Sequence, residues 1–239
     1  MARLSNLVFR CSDAVSLPKQ RRQRLRCIAH HVSELLEHFL DPHLELADSS
    51  QLTVFAGPVP ASEHEYFSAL GASAVYLPEF NVRQCLEAHP DQSQQLILDA
   101  YVTAVSKLLA NAGSSQPGLE SAAARVRKAG FTLDTETQKL SRSFPDRSAR
   151  IKIFRCLNNR RGEVWEARVQ RKGGTWLKPV LITPDPAFLD RSSHFAASRF
   201  ANMPARQDSA EQPVYQIIEP RLDRVHFSMN LSSLGREIG

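Results

Sequence analysis

Long apolar runs are missing from this 239-residue chain. None approaches the roughly 20 residues that a membrane-spanning helix needs. Met1 to Leu17 hold no continuous apolar segment of the kind that defines a secretory leader. Paired cysteines are missing too. Cys11, Cys27, Cys85 and Cys156 include no CxxC spacing, so neither a zinc ribbon nor a thioredoxin-type site is supported. Each reads as a small buried side chain. These absences lead to the expectation of a cytoplasmic protein with reduced thiols.

Catalytic signatures are also absent. The sequence contains no GxSxG, HExxH, GxxxxGK[ST] or GxGxxG, and no internal repeat. No catalytic residue, cofactor or resident metal is called for, and a binding protein is expected in preference to an enzyme. Bases are nearly missing from residues 34–106, where eleven Asp/Glu face only Arg83, a net charge of −10. Residues 120–239 hold 21 Lys/Arg against 13 Asp/Glu, a net +8, and the whole chain carries +5. Such a split bears on steering and partner choice more than on fold. Either the two halves neutralise each other or the acidic segment is presented to a partner. Under the second reading, Glu63, Glu65, Glu79, Glu87 and Asp91 are the candidate contacts.

With 42% apolar residues the chain has enough to pack a core. After Pro18, the apolar positions Leu25, Ile28, Ala29, Val32, Leu35, Leu36 and Phe39 repeat at helical spacing. Asp41-Pro42 should end that helix near Leu40. Leu98, Tyr101, Val102, Val105, Leu108 and Leu109 define a second long helix from about Gln92, with Asp91 as its N-cap. Shorter helices are expected at 61–70, 81–88 and 119–129, and strands at 4–10, 51–56 and 73–77. Beyond Phe131 the period becomes alternating. Residues 150–157, 163–171 and 175–183 read as an antiparallel meander turning at Lys172-Gly173-Gly174. Pairing Gln170 with Thr175 puts Trp165, Val169, Trp176 and Val180 on one core face. Residues 185–211 read as loop with one helix, and two more strands are expected at 213–219 and 224–231.

The fold expected is one α+β domain over 1–239, a helical N-terminal half packed on an antiparallel meander in the C-terminal half. It divides into 1–113 and 119–239 at the Gly113–Gly118 linker. Leu98–Leu109 is expected to pack on the Trp165/Trp176 face.

Three constellations carry chemistry. Lys19, Arg21, Arg22, Arg24 and Arg26 open the first long helix, where cations oppose the macrodipole. With the basic second half, Arg21, Arg22, Arg24 and Arg26 make a candidate phosphate-binding patch for nucleic acid, although no aromatics interleave with the run. His31, Glu34 and His38 line one side of the same helix at i, i+3 and i+7, on its solvent flank, where a metal would need further ligands. Glu166-Ala167-Arg168 on a strand, with Asp146 upstream, resembles the acid and ExK layout of Mg²⁺-dependent nucleases, but Arg replaces Lys. Alternation alone explains this pair as the wet face of a strand.

One stretch resembles a known family. It runs from Tyr76-Leu77-Pro78-Glu79-Phe80-Asn81, through Gln95-Leu96-Ile97-Leu98-Asp99-Ala100-Tyr101, to the strands beginning at Ile151. This order of elements is similar to that of bacterial immunity proteins of polymorphic toxin systems. The resemblance implies a non-enzymatic binder that neutralises a cognate protein toxin. Many such proteins that face nucleases are acidic, whereas this chain is basic overall. The alternatives are a nucleic-acid-binding regulator or defence component and, third, the Mg²⁺-dependent nuclease.

Overall fold

The computed structural model describes residues 4–40, 49–111, 118–143, 147, 149–158, 160, 162–183, 195, 198–203, 214–219 and 224–230. They form two compact units. The first holds residues 1–133 and 157–162, and the second holds 134–156, 163–186 and 190–239; residues 187–189 fall with the first.

The first unit is built on a parallel sheet. Strands β1 (Asn6–Cys11), β2 (Gln51–Ala56) and β4 (Ala72–Leu77) run parallel, and β3 (Tyr66–Ala69) pairs antiparallel with β4, giving the order β1-β2-β4-β3. Parallel neighbours need a crossover, and α1 (Lys19–Phe39) supplies it between β1 and β2. One sheet face carries Leu7, Phe9, Leu52, Val54, Ala56, Val75 and Leu77. It packs with the apolar stripe of α1, with α2 (Val82–Glu87), α3 (Pro90–Asn111) and α4 (Gly118–Lys128) in a single core. Leu98–Leu109 packs in this core with the first unit's own sheet, whereas Trp165 belongs to the core of the second unit. The expected helical half therefore contains four strands. Alternation in β1 and β2 was readable, but each strand alone does not reveal that they pair in parallel.

Two local expectations change. The helix expected over 61–70 is replaced by the β3–β4 hairpin, whose two-residue turn is Leu70-Gly71, with φ of 50° and 77°. Two positive φ values match the strand twist in a tight hairpin, so the turn decides the structure over helix propensity. The long helix α3 begins at Pro90, placing Asp91 inside the first turn, where its charge complements the dipole.

The second unit packs two antiparallel sheets around Leu140, Ile151, Ile153, Trp165, Val169, Ile182, Phe195, Tyr215 and Ile217. One sheet has the order β5-β7-β8-β9, with β6 also on β7: β5 is Leu133–Glu136, β6 Arg142–Ser143, β7 Ala149–Asn158, β8 Gly162–Arg171 and β9 Val180–Leu181. The other is β10-β11-β12, with β10 at Arg199–Met203, β11 at Val214–Glu219 and β12 at Arg224–Asn230. Strand β10 lies where a loop and helix were expected, and is the third strand of the sheet formed by β11 and β12.

The meander register differs from expectation by one residue at Trp176 and by two at β9. Gln170 pairs with Trp176, and Ala167 with Val180. The Leu177 N–H donates to Val169, and the Ile182 N–H donates to Trp165. Leu177 and Ile182 thus take the places assigned to Trp176 and Val180 opposite Val169 and Trp165. At Trp176 the slip is one residue, which reverses the face of the side chain. Trp176 moves to the solvent side and is 44% exposed.

Candidate functional site

The solvent face of the second unit collects aromatic and cationic side chains. Outward positions of β7 supply Arg150, Lys152 and Phe154, and those of β8 supply Glu166, Arg168 and Gln170; Trp176 follows from the slipped register. Phe154 and Trp176 meet edge to face at 6.3 Å. Lys152 Nζ sits 5.1 Å from the Trp176 ring centre, and the Arg168 guanidinium 4.3 Å from that of Phe154. Each cation on a ring face is worth about 0.5–1 kcal/mol at an exposed site. The rings are therefore held in place while much of Trp176 stays open to solvent.

Beside this array lies an open cavity of about 260 Å³ lined by Arg147, Arg150, Gln170, Arg171 and Lys172. Arg150 is engaged with Glu136 at 3.3 Å and Gln138 at 3.2 Å. Lys152 lies 3.6 Å from Glu136, and Arg168 bonds Asp134 at 2.6 Å and Glu166 at 3.0 Å. Arg147, Arg171 and Lys172 have no carboxylate partner among the described residues. The described part of this unit holds twelve Lys/Arg against five Asp/Glu, so its field is positive. Gln170 joins the two parts, since it pairs with Trp176 and lines the cavity.

The acidic partner contacts expected from sequence are largely engaged inside the first unit. The Tyr76 hydroxyl donates to Glu63. Lys107 pairs with Glu65 at 2.7 Å, Arg21 with Glu87 at 2.9 Å, and Arg127 with Asp99 at 2.8 Å. Glu37 accepts the free N–H of Leu7 on edge strand β1 at 2.6 Å. Asp91 faces His89 at 3.6 Å and Glu34 faces His30 at 3.9 Å. Glu79 alone among the described acids of 34–106 has no partner. Asp41, Glu45 and Asp48 lie outside the described residues.

The basic run divides. Arg21 is held by Glu87, and Arg22 by Asp13 at 3.0 Å and the Val15 carbonyl at 2.7 Å. Lys19, Arg24 and Arg26 are exposed and have no carboxylate partner among the described residues.

The histidine constellation does not converge. His31, expected on the solvent flank, is 1% exposed, because the turn after α4 covers that flank and its Nε2 lies 2.9 Å from the Phe131 carbonyl. His38 packs on Phe39. In the ExK-like pair, Arg168 grips Glu166 and Asp134 together, so the carboxylate is committed to an ion pair. Asp146 lies outside the described residues.

Burial raises the thiol pKa of all four cysteines, to about 12 at Cys85. A buried neutral thiol is a poor nucleophile. Alkylation at pH 8 is therefore expected to be slow at Cys85 and Cys156 in the native chain, fastest at Cys11, and uniformly fast after unfolding. Prompt labelling of native Cys85 would contradict this burial.

No protein-family model, curated protein or solved structure matches the chain. Among the described residues no helix is long and apolar enough to cross a membrane.

Proposed function

We propose that the chain is a non-enzymatic nucleic-acid-binding protein that holds a single strand on the solvent face of its second unit. One observation carries this reading: Trp176 stands half exposed among Lys152, Phe154 and Arg168, next to a cavity whose Arg147, Arg171 and Lys172 have no carboxylate partner among the described residues. An exposed ring offers a stacking surface to any base, and free cations beside it track the backbone phosphates. Stacking needs an unpaired base, so single strands are preferred over duplex.

Three free cations on a single strand give a salt slope of about −2, since each contributes about −0.7. Affinity for a 12-residue oligonucleotide is then expected to fall about 100-fold over a tenfold rise in salt. Fluorescence anisotropy against salt tests this. Salt-independent binding, duplex preference, or no binding at low salt would each sink the proposal.

A second reading keeps the toxin-neutralising immunity protein, and one feature favours it. Tyr66 and Phe67 on edge strand β3 are exposed, as is Leu70 at the hairpin tip, with Glu63 and Glu65 just upstream. An edge strand offers unpaired backbone to an extended partner segment, and exposed rings beside it offer apolar contact. Under this reading Phe67→Asp with Leu70→Asp abolishes complex formation with a cognate toxin domain, read by gel filtration. A complex unaffected by the pair would remove the hairpin from the interface.

Leu70 also gives a stability prediction independent of partner. A leucine at φ 50° pays for a left-handed conformation that Asn or Gly tolerates. Leu70→Asn is expected to stabilise the first unit by about 1 kcal/mol in urea unfolding.

A further inference from the structure

The first unit has a second basic cavity, on a different element set from the face proposed above. It has a volume of about 340 Å³, and its lining includes Arg10 and Cys11 of β1, Phe55 of β2, and Lys19, Arg22 and Arg26 of α1. Asp13 is the one carboxylate in that lining, and Arg22 already holds it at 3.0 Å. Arg22 is fixed further by donating to the carbonyls of Val15 and Leu17. Arg10, Lys19 and Arg26 have no carboxylate partner among the described residues. Four cations and one carboxylate leave an excess of three positive charges around one concavity.

This concentration is costly to the isolated fold. The first turn of α1 contains no acid, and its N-cap, Pro18, makes no side-chain cap bond. Cations there oppose the helix dipole and each other. An anion bound among them removes both penalties. The charge excess suits a dianionic phosphomonoester better than a single diester phosphate. The volume exceeds what inorganic phosphate needs and lies in the lower range of small-ligand pockets. Phe55, stacked on Tyr76 at 4.7 Å, gives a rigid apolar wall on one side.

We infer that this cavity is a phosphomonoester site: Arg10, Lys19, Arg22 and Arg26 receive the phosphate, and the organic portion lies on Phe55. Arg22 is the preorganised member, while Arg10, Lys19 and Arg26 close on the ligand. The ligand is either a small free organic phosphate or the 5′-phosphate end of a nucleic acid. The site does not depend on the Trp176 face, and Trp176→Ala leaves it intact.

Titration calorimetry at low salt with adenosine 5′-monophosphate, ribose 5-phosphate and adenosine tests it. Both phosphates are expected to bind and adenosine is not. Binding of adenosine 5′-monophosphate should weaken at least tenfold in Arg10→Ala/Arg26→Ala, whose exposed side chains leave the melting temperature unchanged. The bound nucleotide should also slow alkylation of Cys11, which lines the cavity, and leave Cys27 unaffected. Equal affinity for adenosine and its phosphate, an unchanged affinity in the double variant, or unprotected Cys11 at saturation overturns the site. A Trp176→Ala chain then separates the sources. Preference for a 5′-phosphorylated oligonucleotide over its 5′-hydroxyl form, lost on adding the double substitution, assigns nucleic-acid ends. Binding of the small phosphates without that preference assigns free organic phosphates.

Discussion

Trp176→Ala is expected to weaken single-strand binding between about 5-fold and 150-fold, because one base–aromatic stack is worth about 1–3 kcal/mol. Folding should be almost untouched. Trp176 is not part of the second unit's buried core, to which the same segment contributes Ile182 and the partly buried Leu177. Trp176→Phe should keep most of the affinity, since a smaller ring still presents a face. Arg171→Ala with Lys172→Ala should act differently, lowering affinity and reducing the salt slope by about 1.4. The two classes of variant thereby separate stacking from charge. Loss of affinity in Trp176→Ala accompanied by a lower melting temperature would instead make Trp176 a structural residue.

The largest expected effect on stability comes from Arg155. Glu163 is 1% exposed, and its carboxylate accepts from Arg155 Nε at 2.9 Å, from Arg155 Nη2 at 3.3 Å and from Trp165 Nε1 at 2.9 Å. Trp165 in turn stacks on Phe195 at 4.1 Å in the core. Arg155→Met takes two charged hydrogen bonds from a buried carboxylate, and breaking a buried pair costs about 3–5 kcal/mol. Thermal unfolding of the second unit, followed by the near-ultraviolet circular dichroism of Trp165, is expected to shift down by more than about 10 °C. Adding Glu163→Gln to Arg155→Met removes the buried charge and should recover much of the loss. A double variant no more stable than the single would mean that the packing of Arg155, and not its charge, supports Trp165.

Much of the first unit was legible because its signals are local. The α1 stripe from Leu25 to Leu36 and the α3 stripe from Leu98 to Leu109 are buried as their spacing required, with Phe39 and Val102 half-buried. Strands β1, β2 and β4 fall close to the expected segments, but their parallel order depends on contacts between residues distant in sequence, such as Asn6 with Gln51 and Gln51 with Ala72. The hairpin at Tyr66–Leu77 was misread because Leu70 gives no turn signal, and only its backbone angle does.

The candidate face shows the limit more sharply. Its aromatic member depends on a single residue of register near Gly173-Gly174, where Gln170 meets Trp176 instead of Thr175. Periodicity fixes which residues share a face but not which face they share. The charge split was visible from composition, whereas its fate was not. Arg21, Lys107 and Arg127 lie outside the acidic segment and neutralise Glu87, Glu65 and Asp99 by tertiary contact. Among the described residues the acidic charge is thus mostly engaged within the first unit, Glu79 apart, and most of the unpaired charge is basic. The signal that pointed to it was the penalty of a cationic run opening α1, together with the surplus of Lys and Arg beyond residue 120.

Tryptophan emission tests the central claim most directly, because the chain has two tryptophans and Trp165 is buried at 4% exposure. A single-stranded oligonucleotide titrated at low salt is predicted to quench the emission of Trp176 in step with binding measured by anisotropy, and added salt should reverse both. In Trp176→Phe the quenching should vanish while binding persists. Saturating binding with unchanged emission, or quenching that survives in Trp176→Phe, would contradict a base stacked on this face.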